Sequence, residues 1–125
     1  MSGRGDSRGW EIWHNPRCSK SRRTLAILRE RGIEPEVREY LADPPSVEEI
    51  VDVLAALDLG PRGIVRVADA RKADVELPAP DSERTDWIEL MAANPALIER
   101  PIVLAPDGRA ALGRPPEDVL RLLDE

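Results

Sequence analysis

Apolar residues alternate with polar ones in some stretches of this chain and recur every three or four residues in others. The two periods lay out an order of elements. Residues 10–14, Trp-Glu-Ile-Trp-His, predict a strand, which Pro16 ends. From Ser19 onward Leu25, Ile27 and Leu28 suit a helix, and Gly32 is a natural stop for it. Val37 and Tyr40 place a second strand within Glu34 to Leu41, which completes a βαβ unit with a right-handed crossover. Asp43-Pro44-Pro45 breaks the chain. Ser46 followed by Glu49 has the form of a capping box, and the helix behind it puts Val47, Ile50, Val51, Leu54 and Leu57 on one face. Leu59-Gly60-Pro61 stops it.

Residues 62–68 suit either a short helix or a strand, and the polar stretch 69–83, with Pro78 and Pro80, reads as a surface loop. A helix over about 86–94 turns Trp87, Leu90 and Met91 inward, with Pro95 near its end. Ile102-Val103-Leu104 and Ala110-Ala111-Leu112, joined through Pro106-Asp107-Gly108, form a β-hairpin. Pro115 and Pro116 open a last helix with Val119, Leu120 and Leu123 as its apolar positions. The order is βαβ, a helical insertion, then ββα: an α/β fold without internal repeats. A flexible tail over residues 1–9 and a single domain over 10–125 are expected at this length. The Arg4-Gly5-Asp6 tripeptide in the tail is a short match of the kind that arises by chance and receives no function.

Composition narrows the function. The chain has 125 residues and a net charge of −6, which argues against nucleic acid as a main partner. It contains no phenylalanine, so the core must be built from Leu, Ile, Val and Ala with three tryptophans. No apolar run approaches the ~20 residues that span a bilayer, and the first nine residues lack the apolar segment of a signal peptide. The single cysteine excludes an internal disulfide framework and fits a reducing, cytoplasmic setting. One Cys and one His are too few for a zinc site.

That lone cysteine, Cys18, sits where the first loop meets the first helix, with Arg17, Lys20 and Arg22 around it. A helix N-terminus offers unpaired N–H groups and a partial positive charge, so a thiol there ionises more readily, and the thiolate is the reactive form. The alternative is a small buried apolar Cys, and Pro16-Arg17 before it and Ser19-Lys20 after it are not the pattern of a core position, which favours the reactive thiol. Cys18-x-x-Ser21 has the spacing of a redox Cys-x-x-Cys pair with the second thiol replaced. Ser21 cannot resolve a mixed disulfide, so any redox cycle needs an external thiol. His14, four residues before Cys18, is either a structural residue at a strand end or an aid to the thiolate, acting directly or by ordering the loop. Arg66 lies between two valines, Arg100 before Pro101 and a strand, and Arg114 after a strand. If they converged, three guanidinium forks would suit a tetrahedral oxyanion.

The string His14-Asn15-Pro16-Arg17-Cys18-Ser19-Lys20-Ser21-Arg22, then Tyr40-Leu41 with Pro44-Pro45, then Glu99-Arg100-Pro101-Ile102-Val103, then Gly113-Arg114-Pro115, resembles the glutaredoxin-coupled arsenate reductase family. The likeness runs in register from about Ile12 to Leu123, with one extra residue in the hairpin before Arg114. It implies a thioredoxin-like fold with a helical insertion between its halves, and Pro101 as the cis-proline of that fold, facing the active-site Cys. It implies Cys18 as the nucleophile toward arsenate and His14 as the residue that favours its thiolate. Arg66, Arg100 and Arg114 become the oxyanion ligands, with Asn15, Pro101 and Ser21 structural at the site. No bound cofactor is expected. Glutathione or an equivalent small thiol is the reductant, and a glutaredoxin-type protein is the partner.

One stretch departs from the family pattern. After Arg66 such reductases carry an acidic–aromatic segment with a tyrosine, and here Val67 to Leu77 has none. Two other functions stay open on the same scaffold. One is a thiol-disulfide or deglutathionylating reductase of another substrate. The other is a non-enzymatic regulator that binds a protein, like the related Spx group.

Overall fold

A computed structural model describes residues 9–79 and 81–123. The tail expected over 1–9 falls outside the described residues except for Gly9. The chain packs as two compact units: residues up to Asp43 together with those from Arg100 on, and Pro44–Glu99 between them.

The first unit is a four-stranded sheet with helices, and the fold is thioredoxin-like. Its elements are β1 (Glu11–His14), α1 (Ser19–Glu30), β2 (Glu36–Glu39), β3 (Ile102–Leu104), β4 (Ala110–Leu112) and a 3₁₀-helix over Pro116–Leu123. The strand order is β2-β1-β3-β4. β1 runs parallel to β2, with Ile12 opposite Val37, and antiparallel to β3, with Ile12 opposite Val103. β3 and β4 close the hairpin, with Val103 opposite Ala111. These central residues point to one face of the sheet. There Ile12, Val103 and Ala111 pack with Leu25, Ile27 and Leu28 of α1 and with Val119 and Leu122. Each fully buried Leu or Ile contributes about 1.5–3 kcal/mol of transfer free energy. Trp13 lies buried on the opposite face, and the Arg38 guanidinium sits 5.6 Å from its ring centroid.

The last helix differs from expectation. It winds at three residues per turn, so Val119 and Leu122 are its buried pair, whereas Leu120 and Leu123 are half-buried. Gly32 follows α1 with φ +81°, the left-handed conformation expected of a stop glycine. Both the Arg100–Pro101 and the Arg114–Pro115 bonds are cis. The first agrees with the family likeness; the second has no counterpart among the sequence expectations.

The second unit is helical: α2 (Val47–Leu57), α3 (Val67–Lys72) and α4 (Arg84–Ala93), with 3₁₀ turns at Pro61–Gly63 and Pro95–Leu97. The capping box is formed. Ser46 Oγ accepts from Glu49 N–H at 3.1 Å, and the Glu49 carboxylate accepts from Ser46 N–H at 2.9 Å. The buried stripe of α2 is Ile50, Val53, Leu54 and Leu57, while Val47 and Val51 are exposed. The buried face is therefore rotated by part of a turn from the expected one, because five apolar positions over three turns leave that choice to packing. In α4 the buried residues are Trp87, Ile88 and Met91, and Leu90 is only half-buried. Residues 69–72 are helical rather than loop. Asp69 in the first turn of α3 and Arg71 and Lys72 in the last suit the helix dipole at both ends. Val65 makes an isolated antiparallel bridge with Ile98.

Candidate active site

The loop His14–Cys18 joins β1 to α1, and its polar groups are used locally. Asn15 Oδ1 accepts the Arg17 N–H at 3.0 Å, an Asx turn. The Asn15 carbonyl accepts the Cys18 N–H at 2.9 Å. Arg22, one turn into α1, reaches back and donates to the Pro16 carbonyl at 2.9 Å. Ser21, fully buried, lies beneath the loop. Its hydroxyl oxygen accepts the Asn15 N–H at 3.0 Å and is 2.7 Å from His14 Nδ1. The loop is thus pinned at both ends and in its middle.

Cys18 is the N-cap residue of α1, with extended backbone angles (φ −94°, ψ 124°) and a half-buried side chain. Caps are ordinarily Ser, Thr, Asp or Asn, whose oxygen takes up the first N–H groups of the helix. Cys18 makes no side-chain cap bond of that kind, and a thiolate there is favoured by the partial positive charge of the helix start. Burial pushes the Cys18 thiol up. The backbone N–H groups of Ser21 and Lys20 and the Arg100 guanidinium pull it down and prevail, so its pKa lies below the ordinary thiol value. The first turn of α1 carries no acidic residue to oppose this.

Arg100 and Arg114 are brought together on the same unit. They sit on either side of the hairpin, and Arg114 Nε donates to the Arg100 carbonyl at 2.8 Å. Gly113 makes this approach possible. Its N–H donates to the Pro101 carbonyl at 2.9 Å. A Cβ at position 113 would lie 2.6 Å from Thr24 Oγ1 and 2.8 Å from Pro101 Cγ. Arg100 thus acts on the thiol with Arg114 bonded to its carbonyl, and Pro101 lies between Arg100 and strand β3.

His14 is buried, and its pKa is lowered. Burial is the main cause. Glu39 opposes it, and Arg29 and Arg22 add to it. The ring is accordingly neutral at pH 7, bonded to Ser21.

Arg66 belongs to the second unit. There it caps α3 and engages two carboxylates. Nε donates to Asp69 Oδ2 at 2.5 Å and Nη1 donates to a Glu99 carboxylate oxygen. Despite partial burial these two partners raise its pKa. Sequence reasoning missed the carboxylates, though Asp69 stands three residues after Arg66, the spacing of a helical ion pair. It also missed Gly113 and Thr24 as packing partners, since only a close approach in space reveals them.

Among the described residues no group of three or more His, Cys, Asp or Glu is placed to hold a metal ion. Nor is any helix among them long and apolar enough to cross a membrane.

Known proteins bear on this arrangement. The sequence model of the ArsC family matches residues 13–122. The chain is 46% identical over 114 residues to a protein of Neisseria meningitidis named arsenate reductase, covering 90% of this chain and 97% of that one. It is 40% identical over 113 residues to one of the same name from Haemophilus influenzae, covering 90% and 97%. A solved arsenate reductase structure from Vibrio cholerae superposes with a TM-score of 0.84 at 42% identity, covering 90% of this chain and 95% of that one. The family match over residues 13–122, together with 40–46% identity to these relatives over nine-tenths of the chain, shows that the chain belongs to the ArsC family.

Proposed function

We propose that this protein reduces arsenate to arsenite through a covalent Cys18–arsenate intermediate. The observation that carries the reading is the place of Cys18 at the N-cap of α1, where the N–H groups of Ser21 and Lys20 and the Arg100 guanidinium meet the sulfur and Arg114 is bonded to the Arg100 carbonyl. The relatives named arsenate reductase support the substrate.

The Cys18 thiolate attacks As(V), and one arsenate oxygen leaves as water after taking up protons. Arg100 and Arg114 hold the remaining oxygens and offset the charge that builds on them. A small thiol, glutathione or an equivalent, replaces a second oxygen, which also leaves as water. A glutaredoxin-type thiol then attacks the sulfur of that small thiol. The S–As bond breaks, its electron pair stays on arsenic, and As(V) becomes As(III). The two thiols depart as a mixed disulfide. Water cleaves the last S–As bond, which releases arsenite and restores Cys18. Ser21 fits a cycle of this kind, because its hydroxyl cannot close a disulfide with Cys18 and the resolving sulfur must come from outside. A reducing cytoplasm is the compartment where such external thiols are kept available.

The test is arsenite production by the purified protein supplied with arsenate, glutathione and a glutaredoxin. The wild-type chain turns over and Cys18→Ser does not. Absence of turnover with any small thiol and glutaredoxin-type partner would overturn the reading. Thiol-disulfide activity that survives neutralising both Arg100 and Arg114 would point instead to another substrate.

A further inference from the structure

The peptide group that joins Lys20 to Ser21 is engaged at both ends. Its N–H, that of Ser21, is foremost among the groups that favour the Cys18 thiolate. Its carbonyl, that of Lys20, accepts from the Thr24 hydroxyl at 2.8 Å. A donor on the carbonyl polarises the peptide and makes its N–H a stronger donor in turn, by about 10–30% per link in a chain of this kind. Bonding back to the carbonyl one turn earlier is an ordinary use of a threonine hydroxyl in a helix. Here, however, the carbonyl belongs to the peptide that meets the nucleophile, and the side chain is fully buried against the hairpin. A Cβ at position 113 would stand 2.6 Å from Thr24 Oγ1 and 2.8 Å from Pro101 Cγ, so Gly113 and Pro101 close over the hydroxyl from the other side. The same segment carries Arg100, which acts on the sulfur, and Arg114, which is bonded to the Arg100 carbonyl.

We propose that Thr24 is a positioning residue for the nucleophile: its hydroxyl aims and polarises the Lys20–Ser21 peptide toward the Cys18 sulfur, and the close approach of Gly113 and Pro101 keeps it there. This deepens the reading of Cys18 as the nucleophile and rests on it. The Thr24 O–H, the Lys20 carbonyl, the Ser21 N–H and the Cys18 sulfur follow one another along the first turns of α1. The hairpin therefore reaches the sulfur by two routes. One is direct, through the Arg100 guanidinium. The other runs through Gly113 and Thr24 to the start of the helix. Negative charge on the sulfur is met by a peptide dipole already turned toward it, with no reorganisation needed when the thiolate forms. Only the Thr24 hydroxyl belongs to this chain, and its methyl does not. Valine has the shape of threonine without the hydroxyl, and serine has the hydroxyl without the methyl, so the two separate bonding from packing.

The readout is the pH dependence of Cys18 alkylation by iodoacetamide in full-length protein without arsenate, so failure of arsenate turnover leaves it intact. Thr24→Ser keeps the alkylation midpoint within about 0.2 pH units of wild type. Thr24→Val raises it by about 0.5 units, which cuts the thiolate fraction at a pH below both midpoints about threefold. Thr24→Ala shifts it in the same direction and takes the place of valine if that variant does not fold, as judged by near-UV circular dichroism. In an Arg100→Gln background the valine rise persists, because the route through the peptide does not pass through the guanidinium. An unshifted midpoint in folded Thr24→Val, or a rise in Thr24→Ser as large as in Thr24→Val, would overturn the proposal in favour of packing alone. A valine rise that vanishes in the Arg100→Gln background would overturn it in favour of a displaced arginine.

Discussion

Gly113→Ala tests how the hairpin holds the arginines. The added Cβ would stand 2.6 Å from Thr24 Oγ1, 2.8 Å from Pro101 Cγ and 3.3 Å from Pro101 Cδ. Comfortable carbon contacts lie near 3.5–4.0 Å, so neighbours on two sides must retreat by roughly 0.7–1 Å. Neither does so freely. Thr24 is fully buried with its hydroxyl donating to the Lys20 carbonyl at 2.8 Å, and Pro101 is buried at the entry to β3. Overpacking of this kind costs about 1–3 kcal/mol. For a chain of this size that lowers Tm by roughly 4–12 °C. The shift also loosens the Gly113 N–H bond to Pro101 and with it the seat of Arg114 against Arg100. Arsenate turnover should therefore fall by more than the loss of folded protein explains. Thermal unfolding by circular dichroism gives the first number and turnover at 20 °C the second. Thr24→Ala added to Gly113→Ala opens the tighter contact and should recover part of both, a coupling that a double-mutant cycle reads directly. A Gly113→Ala protein with wild-type Tm and turnover would refute the packing argument.

Three further outcomes follow from the same geometry. Ser46→Ala removes the cap of α2 and one half of its box, and should cost about 1 kcal/mol in chemical denaturation while leaving the Cys18 alkylation midpoint unmoved. Arg66→Ala leaves Asp69 and Glu99 without their shared cation; it should destabilise the chain more than Glu99→Gln, which loses one partly exposed pair and costs under about 1 kcal/mol. The His14 pKa is depressed in the folded chain, so its contribution to stability is present in full above the ordinary value of ~6.5 and drains away as pH falls through the lowered one. Denaturation between pH 7 and 5 should show wild type losing stability that His14→Asn does not lose, and parallel curves would contradict the assignment.

The first unit is legible in the sequence because its signals are local and agree with one another. Pro16 ends a strand, Gly32 stops a helix, and the Asp107-Gly108 turn joins two short apolar runs, so neighbouring residues alone place the βαβ and hairpin halves. The insertion is harder. α3 is six residues long with only Ala70 buried, too little periodicity to separate it from a loop. α4 carries Trp87, Ile88, Leu90 and Met91 within five residues, so no stripe chooses a face. At the site, Cys18 stands out because a helix start and a cluster of cations surround it in sequence. The role of Ser21 is visible there only as a missing thiol, since its partners His14 and Asn15 lie seven and six residues away and meet it through the fold. Arg66 shows the opposite case. Its charge suits an oxyanion on sequence grounds, while Glu99, which it engages, lies thirty-three residues off and carries no local signal.

The central claim is that Cys18 is a thiolate held beside an oxyanion pocket. Its most direct test is the rate of Cys18 alkylation against pH, measured with and without arsenate. The account predicts a midpoint well below the free-thiol value of ~8.5 and a rate that arsenate suppresses. A midpoint at the free-thiol value, with no effect of arsenate, would contradict it.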